Sequence, residues 1–258
     1  ADQNYGNWQN EEECLVLKEG LMELDRDFTG RVRLNEFYAK GRIGSTWECT
    51  ETREYLRGLG VLDESSSWCG PQVLVANYVQ SMSNCIDVSS FYSICCLKRC
   101  DSLLGVVERA IQAPMASLNR IPPVVQRLLN AREVEARNVT TQLVAQQLEA
   151  IAEVHSGEVL LHGRLFAQGV HYASPYECPY PQKSDAVVTS VISEYSNRTG
   201  LLSVLSAQEM KKFIEEHQVD EEEEQEPQPL EKWSQWSMEE ELYVSYHHQG
   251  PRAGGRGA

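Results

Sequence analysis

The chain has no Cys-x-x-Cys pair, no Gly-x-Ser-x-Gly elbow and no glycine-rich phosphate loop. The first absence argues against a thioredoxin-like redox centre, and the other two remove the common nucleophile and nucleotide signatures. Serine, histidine and aspartate are all present, but their spacing makes no positive case for catalysis, so the chain reads as a non-enzyme. No apolar run reaches the roughly 18 residues that span a bilayer. Basic residues are also short: 23 Lys and Arg stand against 38 Asp and Glu, a formal charge of −15. Nucleic acid and anionic membrane surfaces require a concentrated positive field, so neither is an expected partner. A cation is.

The acidity is local. Between Glu215 and Glu241 twelve acids face Lys232 alone, so this segment carries −11 and about −4 remains for everything else. Beyond Val219 the run of Glu, Gln and Pro has too little apolar surface to offset ordering entropy, and residues 219–258 read as a disordered acidic tail. The first 218 residues have the composition of a globular protein.

Eight cysteines (Cys14, Cys49, Cys69, Cys85, Cys95, Cys96, Cys100 and Cys178) make an even count, six of them between residues 49 and 100. Such clustering reads as a disulfide framework, with the adjacent Cys95 and Cys96 bonding to two different partners. Cys95, Cys96 and Cys100 with a histidine fit no common zinc module. Sequons at Asn138 and Asn197 point with the cysteines to the secretory route, whether extracellular, cell-surface or ER-lumenal. Because the chain opens on Ala1, it is expected to be a mature or excised form lacking its targeting segment.

Periodicity predicts a mainly α protein with little β. Glu11 to Leu24 should be a helix, with Leu17, Leu21 and Leu24 on one face; Glu51 to Leu59 should be another, ended by Gly60. Val73 to Val79 reads as a strand or extended segment, and Cys85 to Cys100 as irregular. Further helices are expected from an Asp101 cap to about Gln112, from Pro122 to Leu129, over Thr141 to His155, and from a Ser206 capping box to about His217.

One segment has a chemistry written into its spacing. In Asp25-Arg26-Asp27-Phe28-Thr29-Gly30-Arg31-Val32-Arg33-Leu34-Asn35-Glu36, oxygen donors recur at positions 1, 3, 5 and 12 around a glycine at position 6. Calcium takes six to eight oxygens at flexible distances, so a loop that holds it must turn sharply while aiming alternate side chains inward. The segment resembles the EF-hand family over about residues 14 to 40. That resemblance implies Ca2+ held by Asp25, Asp27, Thr29, the carbonyl of Arg31 and Glu36, with Val32 at position 8 pairing to a second loop. Arg33 at position 9 and the neutral Thr29 depart from the strongest loops, which places the expected affinity at roughly 10⁻⁵ to 10⁻³ M.

EF-hands work in pairs, and no second loop with ligands is present. Residues Ala152 to Gly163 carry Gly157 and Val159 at positions 6 and 8, but Ala152, Val154, Ser156 and Gly163 at the ligand positions. Either this is an ordinary helix, glycine cap and second helix, or it is a silent hand whose Val159 pairs with Val32. The expected organisation is a helix-loop-helix over 1–46, a cysteine-rich helical insertion over 47–138, a helix pair over 139–182, a helical extension over 183–218 and the tail.

His155, His162 and His171 with Glu158 and Glu177 form no metal motif and read as surface groups or as residues one layer behind a site. Trp233-Ser234-Gln235-Trp236-Ser237 resembles the opening of a thrombospondin type 1 repeat, but its cysteines do not follow. Residues 47–182, with Cys95-Cys96, Leu161-His162-Gly163-Arg164-Leu165-Phe166 and Glu177-Cys178-Pro179-Tyr180-Pro181, resemble secreted EF-hand-containing proteins of unicellular algae, a likeness that implies no activity. The reading is a calcium-binding secreted or lumenal protein with a structural or protein-interaction role. The alternatives are a subunit of a larger assembly, or an enzyme that calcium braces.

Overall fold

The computed structural model describes residues 2–121, 137–183, 192–217 and 235–242, with interruptions at 41, 44–45, 48, 67–68, 85 and 90–91, and also Val187. It is mostly helical. The helices are α1 (Asp2–Met22), α2 (Leu34–Lys40), α3 (Arg53–Gly58), α4 (Val75–Val79), α5 (Arg99–Ile111), α6 (Arg137–Val154), α7 (Arg164–Ala173), α8 (Ile192–Thr199) and α9 (Ala207–Glu216). The strands are short: β1 (Arg31–Arg33), β2 (Arg42–Ile43), β3 (Thr46–Trp47), β4 (Leu62–Asp63), β5 (Gln72–Leu74), β6 (Ile86–Ser89), β7 (Tyr92–Ile94), β8 (Met115–Ser117) and β9 (Glu158–Leu160). Among the described residues no helix is long and apolar enough to cross a membrane.

One local plan recurs four times: a helix, a connection that holds a left-handed residue, a three-residue strand, and a further helical segment; the second connection is longer and also carries β4. The series runs α1–Gly30–β1–α2, α3–Gly70–β5–α4, α5–Gln112–β8–a 3₁₀ turn at Leu118–Arg120, and α6–Gly157–β9–α7. A strand of three residues cannot satisfy its own N–H and C=O groups, so each needs a partner. β1 pairs antiparallel with β5, Val32 opposite Val73, and β4 covers the other edge of β5. β8 pairs with β9, Ala116 opposite Val159.

These registers correct the silent-hand expectation in its central detail. Residues 152–163 do carry a turn and strand between two helices, but Val159 faces Ala116 and Val32 faces Val73. The unit that pairs with the first loop lies in the stretch expected to be strand or extended. That stretch instead splits after Leu74, because Val75, Ala76, Tyr78 and Val79 bury together on one helical turn and a bit. Burial against a preformed core outweighs the β preference of valine. The segment expected to be irregular forms the β6–β7 hairpin. Helix α9 starts at the Ser206 capping box as expected, whereas Asp101 lies in the first turn of α5 and does not cap it. The helix expected from Pro122 to Leu129 lies outside the described residues.

Each pair of units encloses its own core. Val32, Phe37, Tyr38, Tyr55, Leu56, Val73 and Tyr78 centre the first half, and Met210 from α9 completes it. Val107, Ile121, Leu148, Ile151, Val159, Leu165 and Phe166 centre the second. Because side chains alternate along a strand, Val73 belongs to the first core and its neighbour Leu74 to the second.

Disulfides Cys14–Cys96 and Cys100–Cys178 close loops with sequence separations of 82 and 78 residues. Cys95 is also disulfide-bonded, so the adjacent cysteines do have different partners. Two cysteines depart from the expected framework in that neither forms a disulfide: Cys49 is buried in the first core, and Cys69 lies on the approach to β5. Cys85 lies outside the described residues. Replacing Cys100 and Cys178 together by serine is expected to lose about 2–4 kcal/mol of stability, since a long loop is released in the unfolded chain. Urea unfolding of the two oxidised proteins measures this.

Candidate functional site

The loop from Asp25 to Glu36 joins α1 to α2 and lies against the second half of the molecule. Its turn depends on two residues in the left-handed region, Phe28 (φ 55°) and Gly30 (φ 76°). Gly30 is required twice over, because a Cβ there would stand 2.5 Å from the Cβ of Pro175. The carboxylate of Asp25 closes the turn. Its Oδ2 accepts from the main-chain N–H groups of Gly30 and Arg31 and from the Tyr176 hydroxyl at 2.8 Å, and its Oδ1 accepts from Thr29 Oγ1 at 3.3 Å.

Asp25 is only 4% exposed, and burial pushes its pKa above the ordinary aspartate value. The Tyr176 hydroxyl and the N–H groups of Thr29, Gly30 and Arg31 pull it back in part. Ionisation at this position is therefore harder than in an open loop.

Arg31 was expected to contribute through its carbonyl alone. Its side chain is the larger surprise: it is buried, and Nε donates to Asp63 Oδ2 at 3.1 Å, Nη1 to the Thr29 carbonyl at 3.1 Å, and Nη2 to the Tyr172 hydroxyl at 3.2 Å. The guanidinium carbon lies 5.3 Å from the centroid of the Tyr172 ring. Asp63 holds its place through Ser65, whose N–H and hydroxyl both donate to Oδ1. Lys18 on α1 and Glu177 add an ion pair across the same boundary. Tyr172, Pro175, Tyr176 and Glu177 thus attach the second half to the loop and to the helix that leads into it.

Asp27 is exposed, and Glu36 in the first turn of α2 is half-buried. Among the described residues no three acidic, histidine or cysteine side chains converge on one point. The residues fit calcium in kind and in chain order: three carboxylates, a hydroxyl and a carbonyl are hard oxygen donors, and Asp25 Oδ1 with one hydrogen bond retains acceptor capacity. In this conformation the three carboxylates do not converge. If calcium is held here, Asp25, Asp27, Thr29, Glu36 and the Arg31 carbonyl are the residues that hold it, and its contribution is to neutralise three like charges on one loop.

The histidines separate into three unlike environments. His155 Nε2 lies 3.0 Å from Glu240 Oε2, and His162 is exposed. His171, expected at the surface or one layer behind a site, is fully buried: Nδ1–H donates to the Cys178 carbonyl at 2.7 Å, while Nε2 has no hydrogen-bond partner among the described residues. Its pKa is lowered to about 3, by burial first and then by the Arg31 charge. Glu158 is exposed at the start of β9 and Glu177 is taken by Lys18. Asn197 is exposed on α8, with the sequon Thr199 hydroxyl bonded to the Tyr195 carbonyl. The side chain of Asn138, at the start of α6, lies outside the described residues.

Tyr172, Tyr176 and Asp63 were not singled out from sequence. No local signal marks them, because each reaches the loop across at least 32 positions of chain. The alternation Arg31-Val32-Arg33 does place the two arginines on the strand face opposite Val32, and that is the only trace. Comparison with family models, curated proteins and solved structures finds no match to this chain.

Proposed function

We propose that this chain is a calcium-binding protein of the EF-hand type, in which one ion at Asp25–Glu36 braces the first half against the second and the role is structural or interaction-based. The observation that carries the reading is the register: Val32, at position 8 of the loop, stands opposite Val73 of a second helix-turn-strand-helix unit, the arrangement that paired loops of this kind require. The left-handed Gly30 at position 6 and the Asp25 carboxylate fixed at position 1 support it further. The disulfides suit an oxidising, secretory compartment, where calcium is abundant enough for a weak site to fill.

Calorimetric titration of the disulfide-intact chain is expected to give a single site at roughly 10⁻⁵ to 10⁻³ M. Glu36→Gln removes the position-12 carboxylate and should abolish the heat and the accompanying rise in Tm. At a hundred times the dissociation constant the ion stabilises the native state by about 2.7 kcal/mol. Binding should weaken as pH falls, starting above the range where an exposed aspartate titrates, because Asp25 holds its proton more tightly than such a residue. An equal response to calcium in wild type and variant would refute the site.

A further inference from the structure

Residues 235–242 belong to the stretch expected to be disordered, yet they lie against the second half in an ordered array of contacts. Most of those contacts are made to the segment's main chain. Arg164 N–H donates to the Glu241 carbonyl at 2.8 Å, and Gly163 bridges Leu242 as one antiparallel rung. Arg164 Nη1 donates to the Glu239 carbonyl at 3.1 Å. The amide of Gln168 reads Ser237 in both directions, Nε2 to its carbonyl at 2.9 Å and Oε1 from its N–H at 3.0 Å. The Tyr180 hydroxyl reaches the Gln235 carbonyl. Arg164, Gln168 and Tyr180 are all buried, and Arg164 is held independently by the Pro181 carbonyl and the Tyr180 hydroxyl. Main-chain contacts give affinity to any extended segment; the side chains must supply the choice.

Two side chains do so. Trp236 packs on the second core, its ring 5.9 Å from that of Tyr172. Four residues later Glu240 sits at the N-terminus of α7, where it accepts from Leu165 N–H at 3.1 Å and meets His155 Nε2 at 3.0 Å. The N-cap residue of α7 is Gly163, which has no side chain to satisfy those first N–H groups, so the incoming carboxylate takes the place of a cap. A Cβ on Gly163 would stand 2.8 Å from both carboxylate oxygens, so any larger residue there would move the Glu240 carboxylate from this position. Lys183 pairs with Glu239 beside it, giving the seat a preference for acids.

Apolar anchoring of the resident segment is sparse. Met238 and Leu242 are 44% and 60% exposed, so Trp236 is its one apolar anchor. Because the segment belongs to the same chain, it competes for the seat intramolecularly. Modest intrinsic affinity is then enough to fill the seat, and a better-anchored competitor can empty it.

We propose that this face, built from Arg164, Gln168, Tyr180, His155 and the N-terminus of α7, is a peptide-recognition site. The chain's own Gln235–Leu242 fills it, and in trans it takes an extended acidic segment of a partner protein carrying an aromatic residue four positions before a glutamate. The proposal is independent of calcium.

The test uses the full chain and a labelled synthetic octapeptide of the resident sequence, Gln-Trp-Ser-Met-Glu-Glu-Glu-Leu, followed by fluorescence anisotropy. The Trp236→Ala, Glu240→Gln variant releases its own segment and should bind the peptide at least about tenfold more tightly than wild type, in which the cis ligand competes. A peptide with glutamine in place of its second glutamate, the counterpart of Glu240, should lose most of that gain. Equal binding to both proteins would overturn the proposal. Should the double variant fail to fold, Glu240→Gln alone keeps Trp236 seated and should still gain roughly threefold, and no gain there overturns it equally. A wild-type chain that dimerises without taking up peptide would assign the seat to exchange between copies and sink the partner reading.

Discussion

Asp63→Ala is expected to destabilise the protein by about 3–5 kcal/mol, the cost of leaving a buried charge without its partner. The Arg31 and Asp63 side chains are 2% and 0% exposed, so water cannot replace the lost carboxylate. Arg31 would retain only the Thr29 carbonyl and the Tyr172 hydroxyl, neither of which carries charge at neutral pH. Replacing both members together, Arg31→Met with Asp63→Leu, should recover much of the loss, because two apolar groups of similar volume need no pairing. Urea unfolding at neutral pH measures both. A loss below about 1 kcal/mol for the single variant would mean that the pair is not sealed from solvent.

His171 is expected to make the fold acid-labile. Its pKa is about 3 in the folded chain and near 6.5 in the unfolded one, so the unfolded state takes up the proton first as pH falls. The stability it secures is fully present above pH 6.5 and is lost progressively between 6.5 and about 3, at roughly 1.4 kcal/mol per pH unit. The groups that face it account for the direction. Burial and the Arg31 charge oppose an imidazolium, while the Cys178 carbonyl and Asp63 favour it only in part. Tyr172 and Tyr180 lie edge-on to the ring and offer no countercharge at these pH values. His171→Asn keeps a donor for the Cys178 carbonyl and removes the titration. Between pH 6.5 and 4.5 the wild type should lose about 2–3 kcal/mol more than this variant. Parallel stability profiles would show that the imidazole reaches water in the folded state.

Both expected effects arise where the two halves meet, and the candidate calcium loop lies at the same boundary. Asp25, Gly30 and Arg31 each have a partner from the other half, in Tyr176, Pro175 and Tyr172 respectively. A change in that loop is therefore felt beyond it. This suits an ion that braces a structure better than one that opens a groove, since opening requires a face free to move.

Much of the local structure was legible in the chain. The loop's turn at Gly30, the helices on either side of it, the capping box at Ser206 and the separate partners of Cys95 and Cys96 all follow from residue type and spacing. These are interactions between residues a few positions apart, or consequences of a geometry that two neighbours cannot share. Pairing was not legible. Val159 and Val73 offer the same apolar side chain to Val32, and the sequence does not say which strand the fold brings beside β1.

What the sequence determined by itself was the spacing of the oxygen-bearing residues Asp25, Asp27, Thr29 and Glu36 around Gly30, the helix-rich pattern and the cysteine-dense framework. Their physics is local: a 3.6-residue period, a turn that needs glycine, alternate side chains along one loop. Only the tertiary structure decided that Val32 stands opposite Val73, that His171 is sealed from water, that Cys49 and Cys69 remain thiols, and that Trp236 and Glu240 seat an acidic segment on the second half. Each depends on burial and on contacts between residues far apart in the chain, and burial belongs to the assembled core and not to the residue.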